Sequence, residues 1–179
     1  RILEENYEAM KKWLSYIEDR AANHHPEEYD TYTDQQKEHD RYLWSTDFHF
    51  GDWLVPSMVL GNPDAMAMNN TAYATMRYVA PAYFAYSTLL MKKVAEILNR
   101  DSDAAYYSAL YEKIKEAYIA EYVREDGTME ANLQGIYVIT LKMGLVSDNI
   151  RPKMVEQLCR MIHENGDKLD TGFLSVLFL

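Results

Sequence analysis

The segment Trp44-Ser45-Thr46-Asp47-Phe48-His49-Phe50-Gly51-Asp52-Trp53-Leu54-Val55-Pro56 gathers flat aromatic faces, carboxylates and an imidazole in one short stretch. Carbohydrate-binding sites are built from those groups. An aromatic face covers the apolar C–H side of a pyranose, and a carboxylate accepts hydrogen bonds from its hydroxyls. Gly51 precedes Asp52-Trp53 and gives the backbone a conformation that a Cβ opposes. The expectation is that Asp52 and Trp53 point together into one pocket, with Trp44 and Phe50 as further wall residues. A plainer reading stands beside it. Asp52 can cap a helix or pin the loop, and Trp44 and Phe48 can be hydrophobic plugs.

Other chemistries are less well served. His24-His25 is adjacent rather than spaced by four, a poor metal clamp. No Cys/His cluster suggests zinc, so no metal or cofactor is expected. His39 and His49 read as loop or core histidines. Gln134 and Thr171, near loop ends, are weaker pocket candidates. Cys159 is the only cysteine. No internal disulfide can form, which is compatible with a reducing compartment and with export alike.

The elements that position this segment read as helices. Leu3, Tyr7, Met10, Leu14 and Ile17 recur at helical spacing over residues 2–22, and His24-His25-Pro26 closes that helix. Residues 23–78 show no sustained period, yet they hold four of the five histidines and two of the three tryptophans. So long an irregular connection is expected to be functional. Helices resume near residue 79, with Pro81 in a first turn and Tyr83, Tyr86, Leu90, Val94 and Leu98 inward. Asp101 or Ser102 caps the next, which carries Tyr107, Leu110, Ile114, Ala117 and Tyr118. A helix over 132–143 stops at Gly144, and another from Ser147 or Asn149 stops at Gly166. Thr171-Gly172-Phe173 begins a last one. The tyrosines of the 101–123 helix read as packing residues with surface hydroxyls. Strand signals are scarce. The expected architecture is all-α, antiparallel helix pairs forming part of a toroid.

Composition sets outer bounds. At 179 residues and 48% hydrophobic, the chain suits one domain with a sizeable core. A net charge of −10 argues against a nucleic-acid partner. No apolar run reaches the roughly 18 residues of a membrane span. The chain stops inside the apolar run Gly172-Phe173-Leu174-Ser175-Val176-Leu177-Phe178-Leu179, so a piece of a longer protein is expected.

Four segments resemble one known family. Residues 3–17 are similar to the helix that follows an acidic active-site loop in the family 78 glycoside hydrolases, the α-L-rhamnosidases. Phe50-Gly51-Asp52-Trp53-Leu54-Val55-Pro56 matches that family's GDWL-x-P element, the most specific of the four. Ala82-Tyr83-Phe84-Ala85-Tyr86-Ser87 resembles its TAYFAYS helix. Leu169-Asp170-Thr171-Gly172-Phe173-Leu174 is similar to its TGFLG turn. The sequence departs from the pattern at Pro81, at Leu133-Gln134-Gly135 and at Ser175. The resemblance implies a single domain over 1–179, the central portion of an (α/α)6 barrel. It also implies an inverting glycosidase whose acid and base lie upstream and downstream, so neither catalytic carboxylate falls within the chain. The implied partners are a carbohydrate substrate and the remainder of the parent chain. A related reading is an (α/α)6 hydrolase for another sugar. A third is a helical interaction scaffold without catalysis.

Overall fold

The computed structural model describes all 179 residues. It is helical throughout, in the order α1 (Ile2–Asn23), a 3-10 turn (Glu27–Thr31), α2 (Asp34–Asp40), α3 (Pro56–Val59), α4 (Ala67–Ile97), α5 (Asp101–Tyr122), α6 (Gln134–Lys142), α7 (Arg151–Glu164) and a closing 3-10 turn (Ser175–Phe178). No helix is long and apolar enough to cross a membrane.

The principal pair is α4 with α5, joined by a three-residue break at Leu98-Asn99-Arg100. The backbone N–H of Asn99 donates to Glu96 O and that of Arg100 to Ala95 O, and Asn99 has φ +55°. This is the doubly bonded left-handed helix stop, with Asn taking the place Gly usually fills. The same closure ends α6, where Gly144 (φ +72°) donates to Leu141 O and Leu145 to Thr140 O. Helix α1 packs on α4, α2 on α5, and α6 joins α4 to α7. Most of the buried apolar residues form one continuous cluster. It includes Tyr7, Leu14 and Ile17 of α1, Phe84 and Met91 of α4, Ile114 and Tyr118 of α5, Ile136 and Ile139 of α6, and Met154 of α7.

Several expectations require correction. First, α4 begins at Ala67, twelve residues before the sequence pattern becomes helical, and Pro81 lies inside it rather than in its first turn. The buried face of this opening stretch is Ala67, Thr71, Ala72, Thr75 and Tyr78, small or polar residues that show no apolar period. Thr71 and Thr75 each donate their hydroxyl to the carbonyl four residues back, at 3.1 and 2.7 Å, which lets a threonine occupy a dry helix face. Second, the most buried stripe beyond Pro81 is Phe84, Ala85, Thr88, Met91 and Ala95, and Leu90 is 42% exposed. Third, the hydroxyls of Tyr111 and Tyr118 are interior, paired with Met143 O at 3.1 Å and Thr140 Oγ1 at 2.9 Å. Neither Asp101 nor Ser102 caps α5, whose N-cap is Arg100. Residues 171–173 lead into a short 3-10 turn rather than a full helix.

Candidate functional site

The segment between α2 and α3 runs extended across the α1–α4 surface. Gly51 lets it touch α4 closely. With φ +60°, a Cβ there would sit 2.1 Å from Thr75 Oγ1 and 2.9 Å from Met76 N. In place of that Cβ, Thr75 Oγ1 accepts the Asp52 N–H at 2.9 Å. Two non-glycine residues of this stretch also have positive φ, Asp47 at +67° and Leu54 at +65°. Such strain persists only where surrounding contacts enforce it, and it concentrates at functional segments.

Asp52 and Trp53 do not share a pocket. Asp52 turns inward and has no solvent exposure. Its Oδ1 accepts the N–H groups of Leu174 (3.1 Å) and Ser175 (2.9 Å). Its Oδ2 accepts Gly172 N–H (2.9 Å) and Ser175 Oγ–H (2.6 Å). The expectation that Asp52 accepts hydrogen bonds from a sugar is therefore not met, and the loop-pinning alternative is what the geometry supplies. Trp53 is half-buried and sets its indole edge-on against Phe50, 5.1 Å between ring centroids. Its carbonyl accepts Phe173 N–H at 2.6 Å.

The aromatic residues of the segment upstream of Gly51 converge with Trp13 of α1 and Tyr83 of α4 on an open groove of about 390 Å³, whose lining does not include Trp53. Trp13, Trp44, Phe48, Phe50, Tyr83 and Leu174 line it. Phe50 is 63% exposed and Trp13 54%. Two sets of edge-on rings brace the lining. Trp44 packs against Trp13 (6.5 Å), Tyr16 (6.4 Å) and His49 (4.3 Å). Phe48 packs against Phe50 (5.3 Å) and Tyr73 (5.9 Å). Trp44 Nε1 also donates to Asp47 Oδ2 at 3.3 Å, and Arg20 Nε donates to the same oxygen at 3.0 Å. Burial works against the Asp47 charge, but these bonds outweigh it and hold the carboxyl below the usual carboxylate range. Burial first, then the charge of Asp52, raises the Tyr83 hydroxyl above the ordinary phenol value, keeping it a neutral donor.

Of the remaining candidates, His49 also lines the groove, while His39 and Gln134 lie elsewhere. His49 bonds Thr46 O through Nε2 at 2.9 Å, and His39 pairs with Glu121 at 2.6 Å. Gln134 is buried, its Nε2 donating to Lys168 O (3.2 Å) and its Oε1 accepting Asp170 N–H (2.9 Å). No group of three or more His, Cys, Asp or Glu side chains is placed to hold a metal ion. Sequence reasoning had missed Trp13 and Leu174 as groove residues. Trp13 carried a signal, being a tryptophan one position off the buried stripe of α1.

The whole chain, residues 1–179, matches the bacterial alpha-L-rhamnosidase 6 hairpin glycosidase domain. The chain belongs to that family. It is 28% identical over 179 residues to an alpha-L-rhamnosidase of Formosa agariphila, covering 99% of this chain and 16% of that protein. An alpha-L-rhamnosidase of Streptomyces avermitilis is 34% identical over 125 residues, 70% of this chain and 11% of the relative. The crystal structure of the Streptomyces avermitilis alpha-L-rhamnosidase complexed with L-rhamnose superposes with a TM-score of 0.75 at 29% identity, over 99% of this chain and 14% of that one. The Aspergillus terreus enzyme shares the fold at a TM-score of 0.75 and 22% identity. The chain thus spans less than a fifth of the relatives it matches. A six-hairpin rhamnosidase domain accounts for the all-helical pairing, part of an (α/α)6 toroid.

Proposed function

We propose that the chain forms the central portion of the (α/α)6 barrel of an inverting α-L-rhamnosidase and supplies one wall of its sugar pocket. The observation that carries this reading is the exposed aromatic groove beside Phe50-Gly51, in a chain that matches the rhamnosidase domain from end to end. Rhamnose is a 6-deoxy sugar, with a methyl group where most hexoses carry a hydroxymethyl. A groove walled by Trp44, Phe48 and Phe50, with Trp53 beside it, offers apolar faces to that methyl and to the ring C–H groups. Asp52 holds the wall and does not touch the sugar. The proton donor and the water-activating carboxylate, about 6.5–9.5 Å apart in an inverting enzyme, are supplied by flanking segments of the full-length protein. The 179-residue chain by itself is inactive on this reading.

A panel of nitrophenyl glycosides presented to the full-length protein tests the reading. Release from the α-L-rhamnoside alone, with β-L-rhamnose as the first anomer seen by NMR, is the expected result. Release only from another glycoside assigns the groove to a different sugar. No turnover by the folded protein leaves a non-catalytic scaffold.

A further inference from the structure

We infer that Asp52 is a positioning residue for the sugar groove, clamping together the two backbone segments that form one end of it; the inference rests on the groove reading above. Phe50 and Gly51 lie immediately before Asp52, and Leu174 lies in the segment its carboxylate binds. All three line the groove. An ionised carboxyl has about four lone-pair sites, and the four bonds from residues 172–175 fill them. No acceptor capacity remains for a hydroxyl of the substrate, and no surface remains through which one could approach.

The packing around the carboxylate shows that the clasp is tight on every side. A Cβ on Gly135, in the first turn of α6, would meet Asp52 Oδ2 at 1.9 Å and Ser175 Oγ at 2.6 Å. A Cβ on Gly172 would meet the Asp52 carbonyl oxygen at 2.3 Å. Two further ties run parallel to the carboxylate, Phe173 N–H to Trp53 O and the pairing of Ser57 with Asp170 through both its N–H (2.8 Å) and its hydroxyl. Three segments far apart in sequence therefore meet at one side chain. An aspartate suits the position because only a group with four acceptor sites and no donor satisfies three converging N–H groups and a hydroxyl. Asparagine has the same shape but two acceptor sites, and its amide N–H would face donors.

The test is a double-mutant cycle in the full-length protein, with an α-L-rhamnoside as substrate. Phe50→Ala alone should raise KM. Asp52→Asn should raise KM with kcat largely kept, lowering kcat/KM on the order of 10- to 100-fold, the scale of an ångström-sized misplacement. Combined with Phe50→Ala, the Asp52→Asn change should add little further to KM, because it acts through the wall already removed. Ser175→Ala removes one of the four bonds and should shift KM in the same direction by less, which keeps the test readable if Asp52→Asn folds poorly. A loss of kcat in proportion to the folded fraction, with KM unchanged, makes Asp52 merely structural and overturns the inference. Fully additive KM effects would overturn it as well, leaving the groove reading intact. An unchanged KM in Phe50→Ala overturns the groove reading and the inference with it.

Discussion

At the scale of single residues, the distinction that matters is between a side chain that faces the groove and one that holds it. Phe50 and Asp52 are two positions apart, and they differ as fully as two residues can. One is mostly exposed, the other has no exposed surface. The sequence marks both as unusual because they flank a glycine in an aromatic-rich stretch. It cannot separate them, since the donors that claim Asp52 come from residues 172–175, more than a hundred positions away. Gly172 shares this dependence. Gly172→Ala must displace backbone at the clasp and should lower stability by about 1–3 kcal/mol or more, the usual cost of overpacking. Gly61→Ala provides the contrast. It too has positive φ (+72°), but nothing lies within 4 Å of its added Cβ, so only the left-handed backbone cost of about 1–2 kcal/mol applies. Thermal melts of the two variants should rank them in that order, and equal melts would remove the crowding argument.

The elements were unevenly legible. The stripe of α5 was readable because Tyr107, Leu110, Ile114 and Ala117 are apolar at helical spacing and all end up buried. The first third of α4 was not, because its buried face is alanine and threonine. Helix α2 carries a local start signal in the sequence. Thr33 and Gln36 form a reciprocal capping box, a pattern visible as Thr-x-x-Gln. Long-range polar ties between helices are the other feature that periodicity cannot supply. Tyr7 of α1 donates to Asp103 of α5 at 2.6 Å, and Lys11 adds a second tie at 3.2 Å. The Tyr7 hydroxyl, then the Lys11 ammonium, hold the Asp103 carboxyl below the usual carboxylate range. A lowered value means the tie is fully present above the ordinary carboxyl pKa and is lost as pH falls through the folded-state value. Asp103→Asn should therefore reduce the melting temperature near neutral pH, with the gap to the unmodified protein closing in acid. A gap that stays constant with pH would show that the charge contributes nothing.

For the whole molecule, the governing fact is how much apolar surface lies open. Ile2, Leu60, Ile97, Phe173 and Leu177 are all large, apolar and exposed. Exposure on that scale marks surfaces made to be covered, which accords with a chain spanning less than a fifth of its relatives. Residues 1–179 produced alone should self-associate in light scattering and leave α-L-rhamnosides intact. A soluble monomer that melts cooperatively would contradict this. The most direct check on the central claim is calorimetric titration of L-rhamnose into the full-length protein and its Phe50→Ala variant. The expected result is saturable binding that weakens roughly tenfold or more, about 1.4 kcal/mol, when the ring is removed. Equal affinity in the two proteins would take the groove out of the sugar site.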